Sequence, residues 1–196
     1  MTSALQWVQA VQGITPAADV YCQTRDSAQA RVEKFGIELQ KVGWDQDRSA
    51  LLAAITGELT GNCFDHNIGM WHDISGCWFE YTQEGTGLLV IVADRGQGVL
   101  ESLKRVQPDL ESHEKALALA FSRQLSGRAP EKRGNGLKFV LKSFNILPKV
   151  SFLFRSGDAA LSVEGKVDVG SIEKYITEGE EIRGTYAEIH FLKMIQ

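Results

Sequence analysis

The sequence predicts one α+β domain, built as a two-layer α/β sandwich with a mainly antiparallel, mixed sheet and helices on one face. Two amphipathic helical segments come first, a β-rich hairpin follows, and later strand-like runs are joined by turns too short for crossover helices. The length of 196 residues suits a single domain with a sizeable core. Hydrophobic residues at 43% and charged residues at 23% are typical of soluble globular proteins.

The two helical segments are predicted from apolar periodicity and from capping residues. Apolar side chains recur along residues 26–41, and Ser27 is a candidate N-cap. A second helix is expected to start after Asp45 or Asp47 and to continue to about His66.

The β-rich segments follow these helices. Runs 77–83 and 87–93 flank a Glu-Gly-Thr-Gly turn and predict an antiparallel hairpin. The connection 95–133 contains one helix-like piece, 111–125, and long connections of this kind are often lids. A helix after Gly136 is then expected, followed by strand-like runs at 150–155, 160–167 and 185–192.

Composition excludes several classes of function. A net charge of -4 offers no broad basic surface for nucleic acid. The N-terminus does not resemble a signal peptide, and no apolar stretch approaches the length of a membrane span. Three cysteines without a CxxC pair suit a reducing compartment, so we expect a cytoplasmic protein. Zinc binding by Cys63, His66, His72 and Cys77 is less favoured, because their spacing matches no compact zinc pattern.

The first candidate site lies on the second helix. Glu58, Asn62 and His66 follow one another at intervals of four residues, so they share one helix face. The amide oxygen of Asn62 suits Mg²⁺, and Glu58 could orient or deprotonate a nucleophile. A solvated polar face is the alternative interpretation.

Two glycine-containing segments are the other candidates. Asp94 ends a buried strand and precedes Gly96 and Gly98, so it could accept from an exocyclic amine, although a plain tight turn is equally consistent. The segment 132–137 places two cations and two glycines before a helix, where phosphate binds well; a simple glycine loop is the alternative. Neither a P-loop nor a Rossmann fingerprint is present.

Together these segments resemble the N, G1 and G2 boxes of the GHKL ATPases, the superfamily of gyrase, the MutL proteins and histidine kinases. The match runs from about residue 26 to 193, and Thr185 resembles a threonine that neighbours the adenine-binding aspartate. The resemblance implies a Bergerat-type, histidine-kinase-like ATP-binding domain over residues 26–196 with an ATP lid at about 95–133. It leaves residues 1–25 without an assigned role.

The resemblance also implies ATP and Mg²⁺ as ligands and a role for each matching residue. Asn62 would hold Mg²⁺, Asp94 would receive the adenine amine and Glu58 would be the general base. Histidine kinases usually carry a lysine where this chain has Asp65, so phosphate contacts pass to other residues. The expected nucleotide contacts are Asn62, His66, Asp94, Gly96, Gly98, Arg128, Lys132, Arg133, Gly134, Gly136, Leu137 and Thr185.

The pattern Glu58, Asn62, His66 is most similar to the stand-alone anti-sigma-factor serine kinases. This implies a protein serine/threonine kinase that binds ATP and ADP and acts on a regulatory protein partner. The connection from Gly98 to Gly134 is longer than in that branch. A nucleotide-gated binding module, a slow ATPase and a degenerate domain are the alternatives, and a homodimer through the N-terminal segment is left open.

Overall fold

The computed structural model describes residues 2–122, 136–147 and 149–193. Its sheet has five strands in the order β1-β2-β3-β5-β4, and all four strand pairings are antiparallel. The strands are β1 (Tyr21–Cys22), β2 (Cys77–Glu84), β3 (Gly87–Asp94), β4 (Val150–Glu164) and β5 (Ile176–Leu192). The helices are α1 (Ala4–Gln9), α2 (Arg25–Lys41), α3 (Gln46–Asp65), α4 (Gly98–Lys104), α5 (His113–Ser122), α6 (Gly136–Phe144) and the 3₁₀ helix Val169–Tyr175. The predicted α+β sandwich is confirmed.

The two long helices start where local side-chain hydrogen bonds replace missing backbone partners. Asp45 caps α3 by accepting a hydrogen bond from the backbone N–H of Arg48 at 2.9 Å. Of the two predicted caps, Asp45 and Asp47, the first is therefore the one that the structure uses. In α2 the N-cap is Thr24 and not Ser27. Ser27 is instead the third helical residue, and its hydroxyl bonds back to the Thr24 backbone to complete a capping box.

The strand alternation sends two sets of side chains to opposite faces of the sheet. Leu88, Val90 and Val92 of β3 join the main core with the apolar faces of α2, α3, α5 and α6. Ile91 and Ala93 point the other way, into a second cluster with Trp7 of α1. The sheet is therefore covered by helices on one face and, in addition, by α1 on part of the other.

The β4 strand reverses direction at its middle. The backbone N–H of Gly165 donates to the carbonyl of Val150 at 2.7 Å, so the two ends of β4 lie next to each other. A straight strand of the same length would separate its ends by roughly 50 Å. Gly157, with φ 59°, lies midway between those ends. The two predicted runs are thus the arms of β4, which ends at residue 164 rather than 167.

The described part of the predicted lid is folded. It contains α4, which the sequence missed, and α5, which starts at His113 rather than at residue 111. Apolar side chains of this part form a small cluster: Leu100, Leu103, Leu110, Ala116 and Leu119. Seven residues are too few for a helical period to be recognised, which explains why α4 escaped prediction. Throughout the described residues, no helix has both the length and the apolar character needed to cross a bilayer.

Candidate functional site

Strand register aligns the end of β1, the start of β2, the end of β3 and an interior position of β5 in one row. Cys22 is the partner of Cys77, Cys77 of Asp94, and Asp94 of Thr185. Since Leu88, Val90 and Val92 face the helices, the alternation places Asp94 on the same side. The antiparallel pairing of β3 with β5 thus brings Asp94 and Thr185 together, although they lie far apart in the sequence.

The Asp94 carboxylate is buried and nearly saturated with donors. One oxygen accepts from the amide of Asn67 at 2.9 Å and from the backbone N–H of Gly96 at 2.7 Å. The other accepts from the hydroxyl of Thr185 at 2.5 Å. A carboxylate has about four acceptor positions, and these three donors occupy three of them. The neighbouring Cys63 thiol donates to the carbonyl of Leu59 at 3.3 Å and also interacts with the Asp94 carboxylate.

Burial dominates the electrostatics of Asp94. Asp94 is only 1% exposed, and the loss of solvation raises the pKa of its carboxyl group to about 6. Hydrogen bonds from Thr185 and Gly96 oppose that rise. The group therefore changes charge near neutral pH. A buried carboxyl whose pKa is raised in this way is a candidate functional group.

This raised pKa predicts a measurable dependence of stability on pH. The Asp94 carboxyl binds its proton more tightly in the folded state, with a pKa of about 6, than in the unfolded state, where the ordinary pKa is 3.8. The free energy of unfolding therefore decreases as pH rises towards 6 and then levels off. Relative to Asp94→Asn, the wild type should gain about 1 kcal/mol between about pH 7 and pH 5. Urea unfolding of both proteins at the two pH values measures this, and parallel changes would contradict it.

Asn67 is a site residue that the sequence did not reveal. It is 3% exposed, its amide nitrogen donates to the carbonyl of Cys63 and to Asp94, both at 2.9 Å, and its oxygen accepts from the backbone N–H of Gln97 at 3.1 Å. It lies just beyond the last residue of α3, where helical periodicity no longer applies. Its amide fixes the orientation of the carboxylate.

The glycines after Asp94 are required by close contacts. A Cβ on Gly96 would lie 2.0–2.2 Å from the amide group of Asn67. Gly98 has φ +75°, and its Cβ would lie 2.8 Å from the hydroxyl of Ser156. That hydroxyl accepts from the backbone N–H of Val99 at 2.9 Å, which ties the start of α4 to β4.

The start of α6 lies against the Glu58 and Asn62 face of α3. A Cβ on Gly136 would be 2.4 Å from a carboxylate oxygen of Glu58 and 3.8 Å from the amide nitrogen of Asn62. Glu58 is exposed and Asn62 is half-buried, so both polar groups can reach a ligand. Leu137, the next residue, is partly buried against the main core. The structure thus brings the end of the segment 132–137 against the helix face that carries Glu58 and Asn62.

His66 connects α3 to the turn after Asp94 and to α4. It is the C-cap of α3, its ring Nδ1 lies 3.0 Å from the Ser102 hydroxyl, and its carbonyl accepts from the amide of Gln97. Gln97 in turn accepts from Arg105 at 3.0 Å. Asp65, the last residue of α3, forms an ion pair with Arg25.

Several predicted phosphate contacts lie outside the described residues: Arg128, Lys132, Arg133 and Gly134. The zinc alternative gains no support, since no group of three or more His, Cys, Asp or Glu in residues 2–122, 136–147 and 149–193 is arranged to hold a metal ion. Cys22, Cys63 and Cys77 are buried free thiols.

The chain is similar to known proteins in its three-dimensional structure. No protein-family model matches the chain, and no curated protein matches it. Among solved structures, the B subunit of DNA gyrase from Myxococcus xanthus is similar to it, with 11% identity and a TM-score of 0.36. The match covers 74% of this chain and 38% of the gyrase subunit's chain.

Proposed function

We propose that this chain binds ATP with Mg²⁺, with the adenine amine on Asp94 and the phosphates near Asn62 and Gly136. One observation carries the proposal: the buried Asp94 carboxylate lies on the helix-facing side of the sheet, the side that also carries the contact of Gly136 with Glu58 and Asn62. A carboxylate removed from water is well suited to accept a hydrogen bond from an exocyclic amine. The GHKL resemblance in the sequence agrees with it.

The donor set suits the proposed ligands. Asn62 offers an amide oxygen, and Mg²⁺ prefers oxygen donors supplemented by substrate phosphates. The lack of a side chain at Gly136 leaves space beside Glu58 that a Cβ would fill. Bound Mg²⁺ would supply charge neutralisation at the transferred phosphoryl group.

Within this proposal, protein serine/threonine kinase activity is the reaction we favour. The Glu58 side chain is exposed, so a hydroxyl on a regulatory partner protein could approach it and lose its proton to the carboxylate. ADP would be the nucleotide product. We also propose a cytoplasmic location, supported by the free thiols of all three cysteines.

A nucleotide-gated binding module is the second candidate, favoured by the network around His66. Hydrogen bonds of His66 with Ser102 and Gln97 join α3 to α4 and to the turn before it, so a ligand on α3 could reposition a partner surface there. Equal affinity for the partner in the apo, ADP and ATP states would contradict this candidate.

Calorimetric titration of MgATP and MgADP into the wild type and into Asp94→Asn tests the proposal. The wild type should bind both, whereas the variant should bind about 10- to 100-fold more weakly, because its amide would present a donor to the adenine amine. Asp47→Asn, which changes an exposed carboxylate on α3, is the matched control and should bind as the wild type does. Absence of nucleotide binding by the folded wild type would overturn the proposal.

A further inference from the structure

The guanidinium of Arg95 is the point where the N-terminal segment meets the Asp94 turn. Arg95 is 0% exposed, and it donates two hydrogen bonds of 2.7 Å to the two carboxylate oxygens of Asp73. It also donates to the carbonyls of Trp7 and of Ala10, the latter at 3.0 Å, and lies over the Trp7 ring at 5.8 Å. All five contacts involve segments distant in sequence from residue 95.

Asp73 extends this junction to the rest of the N-terminal segment. Its carboxylate accepts from the backbone N–H of Gly13 at 2.7 Å, and Arg95 holds its pKa well below the usual range. The indole N–H of Trp7 donates to the carbonyl of Ile14 at 2.8 Å, which closes the segment on itself. The Arg95 and Asp73 pair therefore holds residues 7–13 through the backbone groups of Trp7, Ala10 and Gly13.

Arg95 also belongs to the backbone turn of the candidate site. Arg95 lies between Asp94 and Gly96, so its backbone forms the turn that aims the Gly96 N–H at the Asp94 carboxylate. The carbonyl of Arg95 accepts from the backbone N–H of His72 at 3.0 Å, which fixes this turn from the other side. One residue thus carries both the guanidinium that contacts the N-terminal segment and the backbone turn that contacts the Asp94 carboxylate.

We propose that Arg95 is a positioning residue that couples docking of residues 3–14 on the sheet to the geometry of Asp94. Nucleotide binding and docking of this segment then stabilise each other, because a coupling free energy between two sites is reciprocal. The inference rests on the proposed nucleotide site. It gives the N-terminal segment, which the sequence left without a role, a part in ligand binding.

Amide hydrogen exchange of the wild type, with and without saturating MgADP, tests the linkage directly. Three amides report on the segment: Trp7, bonded to Ser3; Ala10, bonded to Gln6; and Gly13, bonded to Asp73. They should exchange about 5- to 150-fold more slowly with MgADP, the usual range of such couplings. Exchange that is unchanged although calorimetry shows MgADP bound would overturn this inference and leave the proposed function standing. Absence of MgADP binding would overturn both.

Arg95→Lys provides the second measurement. Lysine keeps the charge beside Asp73 but lacks the planar fork that reaches the carboxylate and two carbonyls together. MgADP affinity of the folded variant should fall about 5-fold or more, and the three amides should exchange faster than in the wild type. Arg48→Lys is the matched control, since Arg48 pairs with Asp45 at 3.3 Å on the surface. Wild-type MgADP affinity in Arg95→Lys would overturn the proposal.

Discussion

Glu58→Gln should lower the rate of phosphoryl transfer about 10²- to 10⁴-fold, the usual contribution of a general base. Glutamine matches the shape of glutamate, but it cannot take a proton from an attacking hydroxyl. MgATP affinity should change little, because Asp94 and Asn62 are untouched. Phosphate release at saturating MgATP and transfer of label from γ-labelled ATP to proteins of a cell lysate both measure the rate.

Glu33→Gln is the control for this variant, since it removes an exposed carboxylate from α2. It should leave the rate unchanged. An unchanged rate in Glu58→Gln would exclude the carboxylate as the base. If the wild type binds MgATP but shows neither phosphate release nor transfer, the kinase proposal fails and the nucleotide-gated module becomes the better description.

Gly96→Ala should lower the free energy of unfolding by about 1–3 kcal/mol and also weaken MgATP binding. The added methyl would overlap the amide group of Asn67, which is buried and makes three hydrogen bonds. Moving that amide would break its bond to Asp94 and leave a buried polar group without a partner. Urea unfolding and calorimetry measure the two effects.

Gly61→Ala is the matched control, because a Cβ at this position on α3 would meet nothing within 4 Å. Alanine favours a helix over glycine, so this variant should be more stable by about 0.5–1 kcal/mol and should bind MgATP normally. Equal stability of Gly96→Ala and the wild type would contradict the role assigned to the Asn67 contact.

Sequence patterns were most informative where the structure is local. The second helix and its Asp45 cap are confirmed, because helical periodicity and capping depend on residues a few positions apart. The β2–β3 hairpin is also confirmed, with Glu84 opposite Gly87 across a two-residue turn. In α2 the predicted cap, Ser27, was wrong and the cap is Thr24, because either of these two hydroxyl residues can begin a capping box.

Contacts between segments that are distant in the sequence produce no local pattern from which they could be predicted. Asn67 reaches Asp94 only because α3 ends next to the end of β3, and Ser156 reaches Val99 only because β4 lies beside β5. The burial of Arg95 depends on α1 returning to the far face of the sheet. Each of these residues is polar, and its sequence neighbours gave no reason to expect burial.

The sequence by itself determined the α+β class, the main helices, the hairpin and the identity of the candidate residues, because periodicity, capping and turn chemistry act over short distances. The division of the chain at residue 26 and the nucleotide roles remain predictions. Only the tertiary structure decided that Asp94 is buried beside Thr185, and that Gly136 faces Glu58 and Asn62. It also decided that the N-terminal segment packs on the sheet through Arg95, because register, burial and desolvation arise from packing between segments far apart in the chain.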